Sequence, residues 1–370
     1  MRAVGIIFSN IHDHNVSELA RIRTLGSIPF GGRYRLIDFP LSNMVNSGID
    51  TVGIITKSNY QSLMDHVGSG KDWDLARKDG GVIFLPPFGD LGNDTLYDSR
   101  LDALKGITNF LFRADEDYVV MSDCDTVCRI DYRDVIETHV RNHADITLIY
   151  KKLKKDEIPK DRSVTEFKIE NDRIVGLLRE SMPEDDANVF INMFVLKKSL
   201  LQNIVMDSVA HNKKHFMTDV IADNLKGFKV YGYEHKGFYT GITSIRAYFE
   251  GNMSLLVNEN RRELFGDRSV FTKIRDSAPT KYGNGAIVKN SMIADGCEIE
   301  GEVENSIIFR NVKVARGAVV KNSIVMQNTV LGENSSLNYI IADKNVVVRD
   351  RKNLSGTDIH PFYIGKGIMV

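Results

Sequence analysis

Apolar residues are distributed in two textures along this chain of 370 residues. Through the first part they form short unbroken runs separated by segments of helical spacing. Ala3 to Phe8 (AVGIIF), Thr51 to Thr56, Gly81 to Leu85 and Asp117 to Met121 have the form of strands buried on both faces of a parallel sheet. Between them Asp38 to Ser47, Tyr60 to His66 and Ser99 to Leu111 read as helices, the last with Leu101, Leu104, Ile107 and Leu111 on one face. Further strands are expected at Asp145 to Lys151, Phe190 to Leu196 and Lys229 to Tyr233. A hairpin is expected where Phe167 to Ile169 and Arg173 to Val175 flank the polar turn Glu170-Asn171-Asp172. His215 to Leu225 and Ser244 to Val257 complete the helices. Strands alternating with helices in this way predict an α/β domain around a mostly parallel sheet, here residues 1–257.

The second texture follows a charged, poorly periodic segment, Asn258 to Asp276, read as the start of a linker covering 258–284. Beyond it the tetrads beginning at Asn290, Asn305, Asn322 and Asn338 recur 15, 17 and 16 residues apart, each with two aliphatic residues at its end. Ile308, Val314 and Val320 lie six apart, as do Ile293 and Ile299. Such a hexapeptide period, with Asn or Gly at corners, predicts a left-handed parallel β-helix over 285–370. A β-sandwich would not keep so regular a spacing.

Composition narrows the choice of partner. With 48 basic and 49 acidic residues and a net charge of -1, the chain has no electrostatic footprint for nucleic acid or an anionic membrane, which leaves small molecules and proteins. Cys124, Cys128 and Cys297 form neither a disulfide framework nor a metal-ligand pattern, and are read as core or near-core thiols in a reducing compartment. The apolar start is shorter than a signal-peptide core, and no run approaches the ~18 residues of a membrane span, so a soluble, cytoplasmic protein is expected.

Three places carry candidate chemistry. Gly31-Gly32 lets the backbone come close to a neighbour, and Arg33 and Arg35 just beyond can bind phosphate or carboxylate, or form structural ion pairs. After the first strand, the segment from Ser9 has no glycine before Gly26 and carries Asp13; Arg21 and Arg23 stand near its end. Side chains there deny a phosphate the close backbone approach that glycines provide. Asp125 lies just past a buried strand, where ligands and metals meet parallel sheets.

The stretch PFGGRYRLIDFPLSNMVNSGIDTVGIIT, together with Gly70-Lys71, Trp73-Asp74-Leu75, Leu85-Pro86-Pro87 and the closing Ile364-Gly365-Lys366-Gly367, resembles the glucose-1-phosphate adenylyltransferases, or ADP-glucose pyrophosphorylases. The resemblance covers nearly the whole chain. It implies an ATP- and glucose 1-phosphate-binding cleft that uses Mg²⁺, and it breaks at the positions that would carry the chemistry. The family's GGxGTRL phosphate loop is replaced by the segment after Ser9, and its Lys-Pro pair aligns with Leu25-Gly26. Its Gly-Thr at a helix start becomes Ser99-Arg100. Of its two Mg²⁺ carboxylates Asp125 is retained and the other aligns with Gly241, fixed by the neighbouring Asn252-Met253 and Leu255-Leu256. Its Glu-Lys sugar-phosphate pair becomes Arg179-Glu180.

The resemblance therefore implies a cleft in which Ser9, Arg23, Asp125 and Ser99 are remnants, Asp125 is a vestigial metal ligand, and no cofactor is expected beyond Mg²⁺ for any residual activity. Losing one charged group at such a site commonly costs about 10² in rate, so several losses together favour a non-catalytic companion of a catalytic subunit. Such a companion would sit in a hetero-oligomer, expected to be a tetramer, with Arg33 and Arg35 as candidate contacts for an anionic effector. Self-association, a working enzyme with a divergent loop, and an acyltransferase housed in the β-helix are the alternatives; the last lacks a histidine within the coils, His360 lying near the end.

Overall fold

The computed structural model describes residues 2–87, 97–159 and 162–370. The first domain is built on a nine-stranded sheet. In chain order its strands are β1 (Ala3–Phe8), β2 (Thr51–Ile55), β3 (Gly81–Leu85), β4 (Tyr118–Asp123), β5 (Ile146–Leu153), β6 (Val164–Glu170), β7 (Arg173–Ser181), β8 (Ala187–Lys197) and β9 (Val230–Glu234). The spatial order is β3-β2-β1-β4-β8-β5-β9-β7-β6. The first four are mutually parallel; β8 runs antiparallel to both β4 and β5, and β9 returns parallel to β5. The aliphatic runs are buried on both faces because helices cover each side, giving two apolar layers. The expected hairpin forms between β6 and β7, and Asn171 and Asp172 both take positive φ in its turn.

Two local expectations are corrected. The helix expected over His215 to Leu225 is a π-helical turn at Phe216–Ile221 followed by a short 3₁₀ turn, with Asp219 accepting the backbone N–H groups of Lys214 and His215. The segment read as the start of a linker opens with a helix, Asn258–Phe265, whose Leu264 is fully buried. The chain beyond it is strapped to the first domain, where the Phe271 N–H donates to Ser42 Oγ at 2.8 Å and Asn46 donates to the Ser269 carbonyl.

The second domain is a left-handed parallel β-helix of three five-stranded parallel sheets, beginning at Lys281–Tyr282, slightly ahead of the expected residue 285. Asn290, Asn305 and Asn322 occupy corners at positive φ, which asparagine tolerates. In the fourth repeat the corner is Tyr339 rather than Asn338, so Ile341 and not Ile340 aligns with Ile324. The two aliphatic residues of each tetrad face opposite ways. Ile308 and Val325 fill the inside of the coil, whereas Ile307, Ile324 and Ile341, with Phe309 and Met326, join the core of the first domain. The two domains thus share one apolar layer. Gly31 and Gly32 lie in this junction at φ of 59° and 82°; a side chain on Gly31 would meet Leu255, and one on Gly32 would face Ile307 and the Ile308 carbonyl. Gly31 thus approaches Leu255 of the first domain, and Gly32 faces the β-helix.

Candidate functional site

A cleft of about 1190 Å³ opens beside the carboxyl end of β4, lined among others by His12, Arg100, Asp125, Arg179, Asn192 and Gly241. Its first wall is the segment after β1. Without glycines this segment folds on itself, into 3₁₀ and helical turns over Asp13–Val16 and Ser17–Ala20. Asp13 Oδ1 accepts the backbone N–H of Leu25 at 2.7 Å, so a carboxylate of the chain itself occupies a backbone donor. Burial pushes the Asp13 carboxyl up to about 7, against that hydrogen bond and the charge of Lys57. Leu25 is buried in the core.

The floor of the cleft is a closed set of charges. Arg100, at the start of the helix Arg100–Gly106, donates from Nε to Asp123 Oδ1 at 3.1 Å and from Nη2 to Asp123 Oδ2 at 2.5 Å. Its Nη2 also donates to Asn192 Oδ1 at 2.6 Å, and Asn192 Nδ2 donates to Asp125 Oδ2 at 2.7 Å. His12 Nε2 lies 2.8 Å from Asp123 Oδ2 and 3.7 Å from Asp125 Oδ2. A guanidinium and an imidazole therefore face two carboxyl groups. Burial alone would lower the His12 pKa, but the charge of Asp125 and the hydrogen bond to Asp123 hold it above its ordinary value. Burial would raise Asp123, yet Arg100 and His12 bring it below the usual carboxylate range. Asp125 is raised by burial and by the charge of Asp123. Asn192 reaches this network from a bulge in β8, between Phe190 and Met193, at φ 58°.

His12, Asp123 and Asp125 present ligand atoms within 4.8 Å of one another, so this is where the Mg²⁺ implied by the resemblance would lie. The residues present do not fit it. Mg²⁺ wants several oxygen ligands at about 2.0–2.1 Å in near-octahedral order. Here both Asp123 oxygens are held by Arg100, and Asp125 Oδ2 is held by Asn192. The position aligned to a second carboxylate, Gly241, lies in the cleft paired with Thr126, and a Cβ there would stand 2.5 Å from Tyr239 Oη.

The structure places the other candidates as follows. Ser99 caps the helix that carries Arg100, accepting the Asp102 N–H at 3.1 Å while its hydroxyl donates to the Lys214 carbonyl. Ser9 is fully buried with its hydroxyl on the Ile55 carbonyl, and does not line the cleft. Arg23, expected among the cleft remnants, is elsewhere: it is buried in the junction with Nη2 2.5 Å from Asp343 Oδ2 of the β-helix. Arg179 lines the cleft, whereas the exposed Glu180 sits at φ 54° in an irregular part of β7. Arg33 is exposed, with its guanidinium 6.0 Å from the Tyr34 ring centroid. Arg35 donates to the Ser62 carbonyl and hydroxyl at 2.6 and 3.0 Å, and burial, with Arg275 and Arg23 nearby, lowers its pKa to about 10. Lys344 of the β-helix is lowered to about 6 by burial and by Arg35 and Arg23. The sequence reading missed His12, Asp123, Asn192 and Tyr239; Arg100 was seen only as a lost Gly-Thr. An acid two residues before Asp125 was the one visible signal.

Comparison with known proteins agrees with this architecture. Residues 18–258 match the nucleotidyl transferase family model, and residues 277–360 match the GlmU-like C-terminal hexapeptide model. The chain is 32% identical to the glycogen biosynthesis protein GlgD of Bacillus subtilis (strain 168), over 99% of this chain and 96% of that protein. It is 36% identical to GlgD of Geobacillus stearothermophilus over 86% and 83% of the two chains. Against a glucose-1-phosphate adenylyltransferase of Clostridium perfringens (strain 13 / Type A) the identity is 30% over 88% and 84%. A nucleotidyl transferase domain joined to a hexapeptide β-helix, matched over most of its length by these proteins, makes this chain a member of the glucose-1-phosphate adenylyltransferase family.

Proposed function

We propose that this chain acts in bacterial glycogen synthesis as a regulatory, catalytically deficient subunit, working beside a catalytic homologue that converts ATP and glucose 1-phosphate to ADP-glucose and diphosphate. The observation that carries this reading is the segment after β1. Where a nucleotide's phosphates would need free backbone donors, the chain offers a glycine-free turn whose Asp13 already accepts the Leu25 N–H. A phosphate there finds that backbone donor already taken. Both GlgD and the adenylyltransferases are relatives over most of the chain, which supports a role in glycogen biosynthesis.

In this proposal the subunit packs on its catalytic partner in the cytoplasm, in a heterotetramer, and biases it toward an active state through the interface. An anionic effector would be recognised at the domain junction by Arg35, which Lys344 and Arg23 face; the exposed Arg33 lies on the same turn. The test is to assay ADP-glucose formation by the purified catalytic subunit, by this chain, and by their mixture. The mixture should exceed the catalytic subunit alone in rate or effector response, and this chain alone should be inactive. Turnover by this chain at a rate comparable with the catalytic subunit overturns the reading.

A further inference from the structure

We propose that Arg100 is the resident cation of the cleft: its guanidinium holds both oxygens of Asp123, one of the three groups, with His12 and Asp125, that a divalent metal would need, and this is what keeps such a metal out. The proposal deepens the reading of the cleft as non-catalytic. It rests on four elements meeting at one group. Arg100 comes from the start of its helix, Asp123 from the end of β4, His12 from the segment after β1 and Asn192 from the β8 bulge. The Arg100 side chain is 12% exposed and Asp123 2%, so little water competes with the pair. A planar guanidinium satisfies a carboxylate through two parallel N–H donors and is weakly hydrated, so it substitutes for a small cation without needing a hydration shell. A metal bound to the Asp123 oxygens would press against Nη2, already 2.5 and 2.6 Å from its two acceptors. Any ligand this cleft accepts is therefore held without a divalent ion.

The experiment is a Mn²⁺ titration of the full chain followed by the electron paramagnetic resonance signal of the free ion. Wild-type protein should leave that signal unchanged through millimolar Mn²⁺. Arg100→Ala should bind one Mn²⁺ about tenfold or more tighter, the scale on which groups behind a ligand set change metal affinity, and Arg100→Ala/Asp125→Asn should lose it again. Saturable binding by the wild type that Asp125→Asn abolishes overturns the proposal, as does a folded Arg100→Ala that binds no ion. Should Arg100→Ala not fold, thermal melting of Arg100→Gln decides: its loss of stability should be largely recovered in Arg100→Gln/Asp123→Asn, and additive losses refute the pairing. ADP-glucose assays of the wild-type mixture test the regulatory reading separately, so a regulatory subunit that does bind Mn²⁺ would sink this proposal and leave that one standing.

Discussion

Replacing Asp343 with alanine tests whether the junction depends on one buried ion pair. Arg23 and Asp343 have side-chain exposures of 3% and 0%, and their closest atoms are 2.5 Å apart. Asp343 also accepts the Tyr363 hydroxyl at 2.7 Å, and Arg23 Nη1 has no partner among the described residues. Asp343→Ala therefore strands a buried guanidinium with neither of its Nη groups satisfied. Breaking a buried pair from one side costs about 3–5 kcal/mol. With roughly 2 °C per kcal/mol for a chain this long, the melting temperature should fall by about 6–10 °C. Removing both partners in Arg23→Met/Asp343→Leu should recover most of that loss, because two apolar groups of similar volume leave no charge behind. Calorimetry and urea unfolding of the wild type, Arg23→Met, Asp343→Leu and the double variant form a complete cycle, with Asp343→Ala measured beside it. A single-variant loss below about 1 kcal/mol, or a double variant worse than either single one, would refute the argument.

Three further outcomes follow from local geometry. Gly241→Asp, which restores a carboxylate to the cleft, should lower stability by about 1–3 kcal/mol without producing turnover, because its Cβ meets Tyr239 Oη at 2.5 Å; melting and ADP-glucose assays check both halves. Gly32→Ala should cost about 1–2 kcal/mol from the φ of 82° alone, since the nearest atom to the added Cβ is 3.8 Å away; urea unfolding reads it. His139 is buried 2.8 Å from Thr147 Oγ1, and burial, with the charge of Lys197, depresses its pKa to about 4. A histidine held neutral in the fold contributes stability above its unfolded value near 6.5, and that contribution disappears as pH falls toward 4, up to about 3 kcal/mol. Urea midpoints of His139→Gln should fall less steeply than wild type across that window.

The repeat of the β-helix was readable because corner asparagines and aliphatic pairs recur at nearly constant spacing, and a stacked coil needs that spacing. Its one slip, at Tyr339, came from an Asn in the preceding strand that mimics a corner. The parallel strands were equally plain, since burial on both faces leaves unbroken apolar runs. What Gly31-Gly32 approaches was not legible, because Leu255 and Ile307 lie more than two hundred residues away in the chain. Arg23 was misplaced for the same reason: nothing near it in sequence announces Asp343. The segment after β1 was read as unable to cradle phosphate from its missing glycines, but the hydrogen bond from Leu25 to Asp13 depends on how the turn folds. The Asn192 bulge has no sequence signal at all, and without it Arg100 and Asp125 have no bridge.

The closed set of His12, Arg100, Asp123, Asp125 and Asn192 limits how the cleft can change one residue at a time. Its guanidinium, imidazole, carboxyl groups and amide satisfy one another, so a single exchange that moves the cleft toward metal binding leaves a polar group without its counterpart in a dry place. The network makes folding stability and the chemistry of the cleft answer to the same side chains.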